Sequence, residues 1–124
     1  PQVQVIGCLP QNSPVIAVSV ERGEIVDLPT LRTLSDGTAG GIEAHAVTFD
    51  LCRTLVDEWM LVSEEEIAAA MRLMIEGQHL LVEGAAAVPV AALLKNGDRW
   101  RGKQVAVVLC GGNVSLETLA ALQP

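Results

Sequence analysis

The chain has 124 residues, half of them apolar, and 15 acidic against 8 basic side chains give a formal charge of -7. That length suits one unit with one core. The negative surplus, with no local Lys/Arg cluster to reverse it, argues against a nucleic acid or an anionic membrane surface as partner. Three cysteines, Cys8, Cys52 and Cys110, are odd in number and fit no metal-ligand spacing, so neither a disulfide framework nor a zinc site is indicated and a reducing cytoplasm is the expected location.

In chain order, "VQVIGC" (3–8) has the pattern of a strand, and "LPQNSP" (9–14) that of a turn, with Ser13 as helix N-cap and Pro14 as first helical residue. The helix is expected to run to Arg22, with Gly23 stopping it. Residues 24–44 hold interrupting glycines and Pro29 and are expected to be mostly loop. "AVTFDLCRTLVDE" (46–58) places Phe49, Cys52, Leu55 and Val56 on one helical face, and "WMLVS" (59–63) follows as a short strand. "SEEE" (63–66) has the form of a capping box, Ser63 with Glu66, whose acidic turn also suits the helix dipole. Ile67, Ala70, Met71 and Met74 form the inner stripe of that helix as far as Gly77. A short apolar segment, a turn and another helix are expected within 79–98, with Pro89 tolerated only in the first helical turn.

"QVAVVLCGGN" (104–113) is an unbroken apolar run that stops at a thiol and two glycines. Bounded in that way, it predicts a strand covered on both faces, as in a parallel sheet packed between helices. Ligands of such sheets sit beyond the carboxyl ends of the strands, so Cys110 would face one, with Gly111 and Gly112 admitting it to bare backbone. The chain closes with a helix capped at Ser115. The alternation predicts an α/β fold: a three-layer α/β/α unit over 1–124 with an incomplete, mostly parallel sheet of about three strands, left open or completed by another copy of the chain.

Taken together and in this order, "VIGCLPQNSP", "LSDGTAGGIE", "LVSEEEIAAAMRLM", "HLLVEGAAAV" and "VAVVLCGGN" resemble the second half of the catalytic domain of serine/threonine dehydratases. These are fold-type II pyridoxal-phosphate enzymes, a family that includes threonine deaminase and serine racemase. The resemblance implies that Cys110 meets the pyridine nitrogen of the cofactor and that Glu83 lies near its ring. It further implies that Gly37 brings backbone to it and that Gly111 and Gly112 keep the floor open. Each has a plainer alternative: a small core cysteine, a helix-start carboxylate and a turn glycine. His45 and His79 match no catalytic arrangement.

The implied chemistry needs an amine to tether the cofactor. The two lysines, Lys95 and Lys103, are not in the family's lysine motif, and the substrate loop and glycine-rich phosphate cup also lack counterparts. The expectation is therefore a C-terminal portion of such an enzyme, inactive and without bound cofactor by itself, partnered by an N-terminal half or by a second copy. A non-catalytic self-associating or small-molecule-binding module is the alternative. No metal is expected, because Leu9 and Val15 stand where metal-binding relatives supply carboxylates.

Overall fold

The computed structural model describes residues 3–122. Two parallel strands, β1 (Ile6–Pro10) and β2 (Glu58–Val62), pair in register from Ile6 opposite Glu58 to Pro10 opposite Val62. The ladder continues past both ends, where Asp57 N–H donates to Val5 O at 2.9 Å and Gln11 N–H to Val62 O at 2.8 Å. Gly7 sits where a β-carbon would lie 2.3 Å from the Trp59 ring, so its bare backbone lets the indole lie across the strand.

Helix α1 (Val15–Arg22) begins one residue later than its sequence pattern suggests. Pro14 is the N-cap, without a side-chain bond, because the buried Ser13 hydroxyl instead accepts the Gly40 N–H at 3.1 Å. A tertiary contact has taken the capping group. Gly23, in the left-handed region at φ 75°, ends α1 as expected. The following stretch is mostly irregular, with one 3-10 turn at Asp36–Thr38.

Helix α2 (Val47–Leu55) buries Phe49 but leaves Leu55 exposed, and Val56 lies outside it. The expected extension to residue 58 fails because Asp57 is drawn into the parallel ladder. Helix α3 (Glu64–Gln78) carries the full capping box: Glu66 N–H donates to Ser63 Oγ and Ser63 N–H to Glu66 Oε2, at 3.3 and 2.8 Å. Its buried stripe is Ile67, Ala70, Met71 and Met74, the three-and-four spacing that puts side chains on one face. Gly77 stays inside the helix, and His79, left-handed at φ 56°, terminates it.

Helix α4 (Gly84–Lys95) packs on α3 and on both strands, with Ala86, Ala87, Val88, Val90, Ala91 and Ala92 all buried. Pro89 lies in its second turn, not its first. The interior proline leaves the Ala85 carbonyl without its helical donor. A 3-10 turn (Gly97–Trp100) and the six-residue α5 (Leu116–Ala121) complete the elements. Ser115 caps α5, accepting the Thr118 N–H at 3.0 Å.

The α/β class holds, but the third strand does not form. Residues 104–110 form neither strand nor helix, are almost wholly exposed and, among the described residues, have no backbone group in a hydrogen bond. The apolar run has strand composition without a strand to pair with, since a groove separates it from β1. No helix among the described residues is long and apolar enough to cross a membrane.

Candidate functional site

Helix α4 is the element that builds the site. Its N-cap is Glu83, in extended conformation, and its first residue, Gly84, is buried against the backbone of the 34–35 loop. A β-carbon on Gly84 would lie 1.9 Å from Leu34 O, so only glycine lets the helix start this close to the loop. The loop is anchored in turn, because Leu34 N–H donates to Glu64 Oε2 at 2.6 Å. Ser35, fully buried, pairs its hydroxyl with Thr38 Oγ1 at 2.5 Å. The first turn of α3 thus holds the loop that seats the start of α4.

Around Glu83 the structure gathers residues from three separate stretches. Glu83 N–H donates to Gly111 O at 3.2 Å, and its Oε2 accepts the Asn113 N–H at 2.9 Å. A β-carbon on Gly111 would fall 2.4 Å from the Glu83 carboxyl carbon, and Gly111 is also left-handed at φ 138°. The backbone angle is what favours glycine there, since the Glu83 carboxylate ends a flexible side chain and can shift. Gly37 faces the same carboxylate from the 3-10 turn, where a β-carbon would stand 3.4 Å from Glu83 Oε1. At Gly112 a β-carbon would stand 3.1 Å from Leu81 O.

Of the five residues singled out from sequence, Gly37, Glu83 and Gly111 therefore meet in one cluster. Cys110 precedes Gly111 with its residue exposed, not sealed in a core. The thiol belongs to the unpaired segment and not to a buried strand, which corrects that part of the expectation. Two contributors escaped the sequence reading: Gly84, whose contact is with a loop fifty residues away in the chain, and the Asn113 N–H. No local pattern marks a glycine that is obligatory for a tertiary contact.

Neither amine reaches the cluster. Lys95 ends α4, about 17 Å along the axis from its start, and its Nζ donates to Leu61 O and Glu66 Oε2 at 3.2 and 3.0 Å. Lys103 Nζ lies 5.7 Å from the centre of the Trp100 ring. The carboxylate of Glu83 sits at the α4 N-terminus, the end that a dipole makes favourable for negative charge, so a second anion there would meet repulsion. No group of three or more metal-ligating side chains is found among the described residues, and Leu9 and Val15 present buried hydrocarbon. Elsewhere, burial pushes the Cys8 thiol above its ordinary pKa. The assembled groups are thus a carboxylate, an exposed thiol and bare backbone. They can hydrogen-bond, but they hold no amine.

Residues 1–111 match the family model described as pyridoxal-phosphate dependent enzyme. The chain is 42% identical over 123 residues to an L-threonine ammonia-lyase of Geobacter sulfurreducens, covering 98% of this chain and 30% of that protein. Its backbone resembles that of maize serine racemase, with a TM-score of 0.84 at 28% identity over 98% of this chain and 38% of the other. It also resembles the serine racemase of Dictyostelium discoideum, with a TM-score of 0.81 at 30% identity over 94% of this chain and 37% of the other. A solved threonine deaminase matches at a TM-score of 0.81 and 33% identity over 91% of this chain and 41% of the other. The chain therefore spans less than half the length of each of these relatives.

Proposed function

Because this chain belongs to the family of pyridoxal-phosphate dependent enzymes, we propose that it forms one wall of the cofactor site of an ammonia-lyase acting on threonine or serine. By itself it is inactive. The observation that carries this reading is the convergence of Gly37, Glu83 and Gly111 in one cluster next to an exposed thiol. Relatives named threonine ammonia-lyase and threonine deaminase support the reaction class.

Bound pyridoxal phosphate supplies an electron-withdrawing ring that makes the α-proton of an attached amino acid removable. In this reading the Cys110 thiol meets the ring nitrogen. A neutral thiol there would not hold a proton on that nitrogen as a carboxylate would, so it would keep the ring only a moderate electron sink. Glu83, fixed by the Asn113 N–H, borders the ring and orders the turn through Gly111. Gly37 and Gly111, lacking side chains, leave the room that the Glu83 carboxylate takes up beside them.

The floor residues fit the cofactor, whereas a tether and a phosphate seat have no counterpart among the described residues: Lys95 and Lys103 are engaged elsewhere and Glu83 occupies the α4 N-terminus. Both parts would come from the remainder of the enzyme. The test mixes the purified chain with the part of the Geobacter sulfurreducens relative that it does not span, adds pyridoxal phosphate and threonine, and measures ammonia and 2-oxobutanoate. Activity is expected only in the mixture, with Cys110→Ser retaining it and Cys110→Asp losing it at least tenfold. Turnover by the chain alone, or a mixture indifferent to Cys110→Asp, would overturn the reading.

A further inference from the structure

The turn after β1 is tied to the loop that carries Gly37 by three hydrogen bonds. Leu31 N–H donates to Asn12 O at 2.9 Å, Asn12 Nδ2 to Arg32 O at 2.7 Å, and Gly40 N–H to Ser13 Oγ at 3.1 Å. They fall at the two ends of the segment 31–40, and the candidate site meets its middle, where Leu34 lies against Gly84 and Gly37 against Glu83. Two consecutive residues of the turn therefore hold the whole segment. Ser13 is buried, so water does not readily replace its hydroxyl as the partner of Gly40.

We propose that Asn12 and Ser13 form a latch that positions the 31–40 loop at the candidate site, and that the latch is made of hydrogen bonds with no cation in it. A divalent cation such as Mg2+ or Ca2+ takes about six or more oxygen ligands, carboxylates among them. The turn 9–15 contains no carboxylate, and Leu9 and Val15 bury hydrocarbon there. Its oxygens are already engaged. Pro10 O accepts the Ser13 N–H at 3.1 Å and Pro14 O the Val18 N–H at 3.1 Å, while Asn12 O and Ser13 Oγ accept from Leu31 and Gly40. The one acid within 31–40, Asp36, turns its Oδ1 back to the Gly37 N–H at 2.8 Å.

From the latch, the effect reaches the site by close packing. A β-carbon on Gly84 would lie 1.9 Å from Leu34 O, and one on Gly37 would stand 3.4 Å from Glu83 Oε1, so a shift of the loop is felt at the start of α4 and at its N-cap carboxylate. Glu64 Oε2 holds the middle of the loop independently, through the Leu34 N–H. Opening the latch therefore frees the two ends of the loop and leaves the α3–α4 core in place. The latch stands on this geometry; its service to a cofactor site rests on the reading given under the proposed function.

The test uses the chain by itself, with neither cofactor nor substrate, so its outcome is separate from that of the ammonia-lyase reading. Ser13→Ala removes the hydroxyl, and Asn12→Asp keeps the side-chain shape but removes the donor to Arg32. Amide hydrogen exchange should quicken about tenfold or more at Gly40 in the first variant and at Leu31 in the second. In both it should also quicken at Asn113, whose N–H is held by Glu83 Oε2, while Ala70 and Met71 in α3 keep their protection. Ser13→Thr, which retains a hydroxyl, should restore slow exchange at Gly40. Where Ser13→Ala is too unstable to read, Asn12→Asp decides, since that side chain is only half-buried. An Asn113 amide indifferent to both changes, or equal acceleration throughout α3, would overturn the positioning role. Mg2+, Ca2+, Mn2+ and EDTA should each leave the melting temperature of the unaltered chain unchanged. A saturable rise with one of these ions, abolished by Ser13→Ala, would put a cation in the latch and overturn its assigned make-up.

Discussion

Gly84 is the residue whose replacement has the clearest cost. The intruding methyl of Gly84→Ala meets the Leu34 carbonyl, a backbone atom that cannot swing aside, whereas Gly97→Ala enters open space. Overpacking of this kind costs about 2 kcal/mol or more, against a change within about 0.5 kcal/mol at an open surface position. Urea unfolding should show the first as a lower midpoint at unchanged slope and the second as no shift. The cysteines separate in a comparable way. Cys110 is exposed, while Cys8 is half-buried with its thiol pushed toward the protonated form. Since the thiolate is the reacting species, iodoacetamide should label Cys110 well before Cys8, with mass spectrometry reading the order. Cys110 and Glu83 stand out in the sequence because they occur in short motifs. Gly84 and Asn113 were not, because what constrains them is a loop or a side chain far away along the chain.

At the scale of elements, local signals held and tertiary ones did not. The capping box at Ser63 involves four consecutive residues and formed as written, whereas Ser13, an equally good cap by type, was recruited by Gly40. Removing the Ser63 hydroxyl should cost about 1 kcal/mol, seen as a reduced urea midpoint, because α3 carries the core stripe. The same change at Ser115 should cost less, since α5 is short and buries none of its own residues, touching the core only through half-buried Leu119 and the following Leu122. Pro89 shows the converse: an α4 buried along most of its length is held by packing on α3 and the strands despite a missing hydrogen bond. The turn before Trp100 is tied to β2 by the bidentate Arg99–Glu58 pair. The Arg99 hydrogen bonds, aided by its charge, hold the Glu58 carboxyl below its ordinary pKa. A depressed carboxylate contributes stability above its unfolded-state value and loses it as pH falls through the folded one. Glu58→Gln should therefore lower the melting temperature at neutral pH, and the gap from the unaltered chain should close in strong acid. A gap that persists there would mean that packing, not charge, joins the turn to the strand.

Across the whole molecule the balance of apolar surface is uneven. The buried set is concentrated where α3 and α4 meet β2, while exposed apolar side chains include Val3, Val105, Val108 and Leu109 beside the groove as well as Val47 on α2 and Leu116 on α5. The sequence made the count of apolar residues visible but not which of them stay exposed, because an unbroken run such as 104–110 has the same composition whether its neighbours are present or absent. A folded core beside an uncovered apolar groove has a definite signature. An apolar fluorescent dye should bind the chain without denaturant, under conditions where the α3–α4 core still unfolds cooperatively. Adding the uncovered portion of the Geobacter sulfurreducens relative should expel the dye and raise stability by mass action, by about 2.7 kcal/mol at a hundredfold excess over the dissociation constant. Dye binding that tracks loss of the core signal would instead mean that the chain is loosely packed throughout. Dye that stays bound after the partner is added would mean that the exposed valines lie outside the covered surface.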